Sequence, residues 1–136
     1  MDYDLAILDA SGAALGFAEA LQGQYRVLVL NRTAMVAAEF INAFRPCPGR
    51  VTADSPPARS ILSGLEQEGL LAFDQVRHYS AGPLLHHAFS QLTCDQLYET
   101  DLLAVEPVPG GYALDIVNRS GMRKIKTRVL VDTRDS

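Results

Sequence analysis

The sequence has no tryptophan, two cysteines, three histidines and few aromatic residues of any kind. It also has no cluster of lysine or arginine and no apolar run approaching the ~18 residues that a membrane helix needs. Each absence excludes something. Without a basic patch, and with a net charge of −4, the chain has no electrostatic footprint for nucleic acid or an anionic membrane surface. Cys47 and Cys94 lie far apart and lack metal-ligand spacing, so they read as two reduced thiols in a cytoplasmic protein. His86 and His87 are adjacent, so on a helix they point about 100° apart and make a poor metal pair, and His78 stands alone. The N-terminus carries no positive region ahead of an apolar stretch, which speaks against a secretory leader. No residue qualifies as a catalytic acid, base or nucleophile, and no metal ligand set is expected.

What is present is an ordinary globular balance over 136 residues, with 48% apolar and 21% charged residues, enough for one domain with one core. The most informative stretch is Tyr3 to Arg32. Leu5-Ala6-Ile7-Leu8 is a continuous apolar run, the pattern of a buried parallel strand. Asp9-Ala10-Ser11-Gly12-Ala13-Ala14 is a run of small residues, permitting a sharp turn and close helix–sheet approach. Ala13, Ala14, Phe17, Ala18 and Leu21 continue at helical spacing until Gly23. Arg26-Val27-Leu28-Val29-Leu30 forms a second apolar run, ending at Asn31-Arg32. Strand, tight turn, helix, strand is the opening of a dinucleotide-binding β-α-β unit, in which a pyrophosphate rests on the first helix's N-terminus.

Further along, Met35, Val36, Phe40, Ile41 and Phe44 predict a helix that stops before Pro46, followed by a proline-rich loop over residues 45–57. Ser55 predicts an N-cap for a helix entered through Pro56-Pro57 and running over about 58–68, ending at Gly69. A short extended segment is expected over 73–79, then a helix opened by Gly82-Pro83 over 84–92. Residues 96–105 read as extended, ending at the Pro107–Gly111 loop. The alternation over 112–117, the turn at 118–121 and the strand at 124–131 predict a hairpin or meander whose last strand returns to the main sheet. The expected fold is one α/β Rossmann-like domain over residues 1–136. It has a central, mainly parallel sheet of three or four strands, helices on both faces and a small antiparallel β-meander at about 96–128.

In this order of elements the chain resembles the N-terminal, FAD-binding portion of FAD-dependent oxidoreductases of the glutathione-reductase-like superfamily. The resemblance covers nearly all 136 residues. Asp9-Ala10-Ser11-Gly12-Ala13-Ala14 lies where the family's Gly-x-Gly-x-x-Gly turn would be, Asn31 where it carries a ribose-binding acid, and Ala37-Ala38 where it carries a glycine pair. Residues 129–135 resemble the segment that closes the nucleotide-binding half, with Arg134 in place of a glycine. The resemblance implies a cofactor site at Asp9, Ser11, Gly12, Ala13, Ala14, Asn31 and Arg32, with FAD as the cofactor. The departures carry chemistry. A carboxylate at Asp9 beside a diphosphate costs on the order of 4 kcal/mol at about 4 Å in a partly buried site. Ser11 adds a side chain where close backbone approach was wanted, and Asn31 offers a ribose no charge assistance. Together they imply a degenerate fingerprint and a module that is not catalytic alone.

A second resemblance, over residues 5–44 only, is to the Asn-Arg-Thr segment of NADP-dependent shikimate-dehydrogenase-like domains. It implies that Arg32 grips a 2′-phosphate. Flavoenzymes of the first family carry a further substrate or cap domain, so the expectation here is a binding or assembly subunit, with a second copy or a partner protein covering the open half. The alternative is an oxidoreductase domain completed by a partner chain or further sequence.

Overall fold

The computed structural model describes residues 1–38, 53–72, 75–76 and 78–134. Its centre is a six-stranded sheet in the order β5-β2-β1-β8-β7-β6. Strand β1 (Tyr3–Leu8) is followed by helix α1 (Gly12–Leu21) and strand β2 (Val27–Leu30). Then come α2 (Pro56–Gln67), the two-residue strands β3 (Leu71–Ala72) and β4 (Gln75–Val76), which pair only with each other, and α3 (His78–Ser90). Strands β5 (Asp95–Leu97), β6 (Asp101–Val108), β7 (Gly111–Asn118) and β8 (Gly121–Asp132) complete the sheet. β1 pairs in parallel with both β2 and β8, and β2 in parallel with β5, while β6, β7 and β8 form an antiparallel meander. The expected α/β architecture and the return of the last strand to the main sheet are both present. The sheet has six strands rather than three or four, because the meander continues it through β8.

The continuous apolar runs of β1 and β2 are buried on both faces. On one face, Leu5, Ile7, Val27 and Val29 pack against Ala14, Leu15 and Ala18 of α1, Leu65 of α2, and Leu85 and Phe89 of α3. The alanines at 10, 14 and 18 allow this closeness, since each is at most 1% exposed. On the other face, Ala6, Leu8, Leu28 and Leu30 meet Leu114 and Ile116 of β7 and Ile125 of β8. Helices were expected on both faces. Among the described residues all three cover one face, and the curled meander covers the other. Fully burying each of these larger side chains contributes roughly 1.5–3 kcal/mol.

Helix α2 starts as its sequence predicts. Ser55 Oγ accepts from the Ala58 amide at 3.4 Å, and the two prolines occupy the first turn, where no amide partner is needed. It ends in a Schellman turn: Gly69 takes φ +67°, its N–H reaches the Glu66 carbonyl, and the Leu70 N–H reaches Leu65.

Three local expectations are corrected. Helix α3 begins at His78 rather than Leu84 and takes in part of the segment expected to be extended, with Pro83 inside the helix. Pro83 is exposed, so the bond it cannot donate is lost on the solvent side, while Leu85 and Phe89 hold the helix down. The stretch 96–105 is two strands, broken at 98–100 where Glu99 adopts φ +49°, and β6 continues through Pro107, which an edge strand tolerates. Residues Met35 to Ala37 are not helical, with Val36 and Ala37 in bends and Ala37 at φ +50°; helix is first seen at Ala38. The rest of the helix expected from Met35, most of the proline-rich loop and Cys47 lie outside the described residues. At Gly111 the meander crosses very close to β8. A Cβ there would run into the Thr127 carbonyl and lie 2.8 Å from Arg128 Cα.

Candidate functional site

The carboxyl ends of β1, β2 and β8 meet at one edge of the sheet, the place where open α/β sheets bind ligands. A cleft of about 500 Å³ opens there, with Asp9, Arg32, Thr100, Asp101 and Arg134 among its polar lining and Leu8, Leu30, Leu102 and Leu103 as its apolar floor. Of the expected site residues, Asp9 and Arg32 line this cleft. Ser11, Gly12, Ala13 and Ala14 lie at the start of α1 behind it, and Asn31 lies beneath.

The turn after β1 opens with a non-glycine residue in a conformation that favours glycine. Asp9 adopts φ +78°, in the left-handed region that favours glycine, and its N–H donates to the Leu30 carbonyl at 2.7 Å. Ser11 is the N-cap of α1, with φ −79° and ψ 171°. Its Oγ accepts from the Ala14 amide at 3.1 Å and donates to Thr133 Oγ1 at 2.8 Å. Thr133 Oγ1 in turn donates to the Leu8 carbonyl at 2.8 Å. One hydroxyl relay thus ties the end of β8 to the end of β1. Gly12 opens the helix, Ala13 is exposed on its first turn, and Ala14 is fully buried against the sheet.

Asn31 turns inward. It is 1% exposed. Its Nδ2 donates to the Thr33 carbonyl at 2.9 Å and the Met35 carbonyl at 2.8 Å, and its Oδ1 accepts from the Ala10 amide at 3.3 Å. Its backbone binds on both sides as well: the N–H donates to Leu97 and the carbonyl accepts from Thr100. The amide expected at a ribose is therefore spent on the protein's own backbone. Arg32 projects into solvent with its side chain 85% exposed, and its Nε lies 3.3 Å from Asp101 Oδ1. Arg134 clasps Asp132 through two nitrogens, at 2.8 and 2.6 Å. Those hydrogen bonds hold the Asp132 carboxyl below its ordinary range, and Asp9 adds to the field that keeps Arg134 charged. The cleft mouth is thus a set of paired charges rather than an open cationic cradle.

The side chains present do not fit a dinucleotide at this strand end. Asp9 carries a carboxylate where the resemblance puts a diphosphate, the Ser11 hydroxyl and Asn31 amide are committed internally, and both arginines face aspartates. The left-handed φ of Asp9 is a backbone feature that a glycine-led turn also has. Sequence reasoning missed Thr100 and Asp101, because residues 96–105 read as one strand, and Thr133, whose hydroxyl partners lie over 120 positions away. The polar break Tyr98-Glu99-Thr100 inside an apolar stretch was the available signal.

Elsewhere, Cys94 is a free, half-buried thiol pushed up in pKa by burial. His86 and His87 are exposed on α3, and no group of three or more potential metal ligands gathers among the described residues. No helix among them is long and apolar enough to cross a membrane.

No protein-family model matches this sequence, and no curated protein matches it significantly. Solved structures do share its fold. The ornithine N-hydroxylase of Kutzneria sp. 744, in a structure with reduced FAD, NADP+ and L-ornithine, superposes with a TM-score of 0.77 over 97% of this chain at 18% identity. The L-proline dehydrogenase of P. horikoshii gives 0.62 over 96% at 17% identity, and the thioredoxin reductase of T. acidophilum 0.60 over 96% at 14%. This chain spans only 37%, 22% and 34% of those proteins respectively. At such identities the likeness establishes the fold: a Rossmann-like α/β domain of the kind those oxidoreductases contain.

Proposed function

We propose that the chain is a degenerate FAD-binding-type Rossmann module, related to FAD-dependent oxidoreductases, that catalyses nothing alone and serves as a binding or assembly subunit. The observation that carries this reading is the internal use of the site's polar groups. Asn31 and Ser11 stand where a dinucleotide's ribose and phosphate would be recognised, and both serve the fold instead. Asp9 adds a charge of the wrong sign for a diphosphate. The test is the absorption spectrum of freshly purified protein, followed by titration with FAD, NADP and NAD. A colourless protein with no saturable binding up to about 100 μM, an affinity weaker than about −5.5 kcal/mol, is expected. A flavin band or tight FAD binding would overturn the reading.

A second reading is supported by one observation, the left-handed φ of Asp9, which a glycine-led turn also has. In it the chain is an FAD-dependent oxidoreductase domain, completed by a partner chain or by further sequence, and the flavin itself supplies the redox chemistry. NADP held through Arg32 is its weaker form, and it predicts a preference for NADP over NAD that Arg32→Ala abolishes. Copurification with flavin separates this reading from the first.

A further inference from the structure

A second cleft, of about 470 Å³, lies at the other end of the sheet, where β1 and β5 begin. Asp2, Tyr3, Asp95 and Arg123 are among its polar lining, and Leu97 and Ile125 are its apolar part. Tyr3 opens β1 and Asp95 opens β5, with β2 between these strands in the sheet. The Tyr3 phenol spans that gap and donates to Asp95 Oδ2 at 2.7 Å, and the Arg26 guanidinium stands 5.4 Å from the centre of its ring. One oxygen of Asp95 is thus fixed from within the fold. Arg123 comes from β8, on the same face of the strand as the buried Ile125, since residues two apart point the same way. Burial and the Asp95 carboxylate raise the pKa of the Tyr3 phenol while the charges of Arg26 and Arg123 lower it, so the Arg123 guanidinium lies within electrostatic reach of the phenol.

Most other polar groups of this cleft are already engaged. Lys124 reaches Glu106 at 3.1 Å and Asp115 at 3.3 Å. Gln96 donates to the Phe89 carbonyl at 2.9 Å and accepts from the Tyr98 hydroxyl at 2.7 Å. Asp2 Oδ2 accepts from the Lys126 amide at 2.8 Å, which holds the N-terminus down and leaves Oδ1. Among the described residues, Arg123 has no hydrogen-bond or ion-pair partner. A free guanidinium and a held carboxylate therefore share one cleft without closing on each other. A simple anion there is opposed by Asp2 and Asp95, and a simple cation by Arg123. A molecule carrying both charges satisfies both sides.

We propose that this cleft binds a small zwitterion, an α-amino acid with an apolar side chain. Its carboxylate pairs with the Arg123 guanidinium, whose planar fork suits two carboxylate oxygens, and its ammonium pairs with Asp95, with Asp2 beside it. The side chain lies on Leu97 and Ile125. The site is remote from the Asp9 cleft, so its test is independent of the loss of cofactor binding proposed there. The probe is L-leucine, titrated into isotope-labelled protein and followed by the NMR shifts of the backbone amides, with circular dichroism confirming the fold of each variant. Saturable shifts centred on Tyr3, Gln96 and Arg123 are expected, with a dissociation constant of about 1 mM. Leucine without its amino group (4-methylpentanoate) and leucine without its carboxylate (3-methylbutylamine) should each bind about fivefold more weakly or worse. Arg123→Gln and Asp95→Asn, both changes of exposed side chains, should weaken L-leucine binding by about as much. The absence of saturable shifts up to about 20 mM overturns the proposal. So do shifts centred elsewhere, an amine or carboxylate that binds as well as L-leucine, or binding indifferent to either variant.

Discussion

Replacing Asn31 by aspartate changes one NH2 for one oxygen and leaves the volume alone, so it isolates what the amide does. The new carboxylate keeps the acceptor for the Ala10 amide, but the atom that donated at 2.9 and 2.8 Å to the Thr33 and Met35 carbonyls becomes an acceptor facing acceptors. At 1% exposure, an ionised carboxylate among carbonyls is costly enough for the protein to prefer the protonated acid. Protonating an aspartate at pH 7 from an ordinary pKa near 3.9 costs about 4 kcal/mol, and the neutral acid still lacks one of the two donors, worth about 1 kcal/mol. Asn31→Asp is therefore expected to lose up to about 5 kcal/mol at pH 7, a large part of a typical domain's 5–15. The sign of the pH dependence follows. The folded state raises this carboxyl's pKa, so the deficit is largest above the folded pKa and shrinks to about 1 kcal/mol as pH falls below about 4. Urea denaturation of variant and wild type at several pH values, followed by far-ultraviolet circular dichroism since the chain has no tryptophan, measures the difference. Equal urea midpoints at pH 7, or a deficit that ignores pH, would refute the inward-facing amide. An amide facing a ribose in solvent would instead make the substitution nearly neutral for stability, within about 0.5 kcal/mol.

Ser11→Ala removes both the cap on Ala14 and the link to Thr133, and should cost about 1–3 kcal/mol in chemical denaturation. Gly69→Ala meets no atom within 4 Å but forces alanine to φ +67°, so it should lose about 1 kcal/mol; Gly111→Ala, which collides with backbone of β8, should lose several times that in the same assay. Tyr3 donates to Asp95 at 2.7 Å, and burial first, then that carboxylate, pushes its phenol up to about 12. The neutral phenol is thus favoured by folding, and this contribution is complete below pH 10 and lost between pH 10 and 12. Absorbance titration at alkaline pH should show Tyr3 titrating late, alongside Tyr98, whose phenol burial also raises, and Asp95→Asn should bring Tyr3 only part of the way back, because burial remains.

The parallel half of the fold was legible because β1 and β2 are buried on both faces and so read as unbroken apolar runs, and because Ser55, Pro56 and Gly69 mark the ends of α2 by local chemistry. The meander's turns were legible for the same reason. What failed was non-local. Pro83 reads as a helix start, yet the packing of Leu85 and Phe89 against the sheet carries the helix back to His78. The break between β5 and β6 depends on Thr100 and Glu99 binding Asn31 and Thr33, contacts that no window of residues 96–105 contains. The turn does follow β1 at Asp9, which takes the left-handed φ of +78° that favours glycine. The inward rotation of Asn31 was not visible, since an amide at the end of a strand looks the same whether it serves a ligand or the chain.

The central position of β8 has a kinetic side. β1 lies in the middle of the sheet, but one of its two neighbours comes from residues 127–132, 124 positions further along the sequence. Residues 3–8 can pair with β2 as soon as α1 and β2 are made, yet their second edge stays open until residues 127–132 are available. Closing so long a loop is entropically expensive before any contact rewards it, and parallel pairing of this kind is slow. The core should therefore be completed last, and all at once, when β8 docks. A chain shortened by its final strand would expose β1's apolar residues along that edge and should collapse without reaching a cooperative native state.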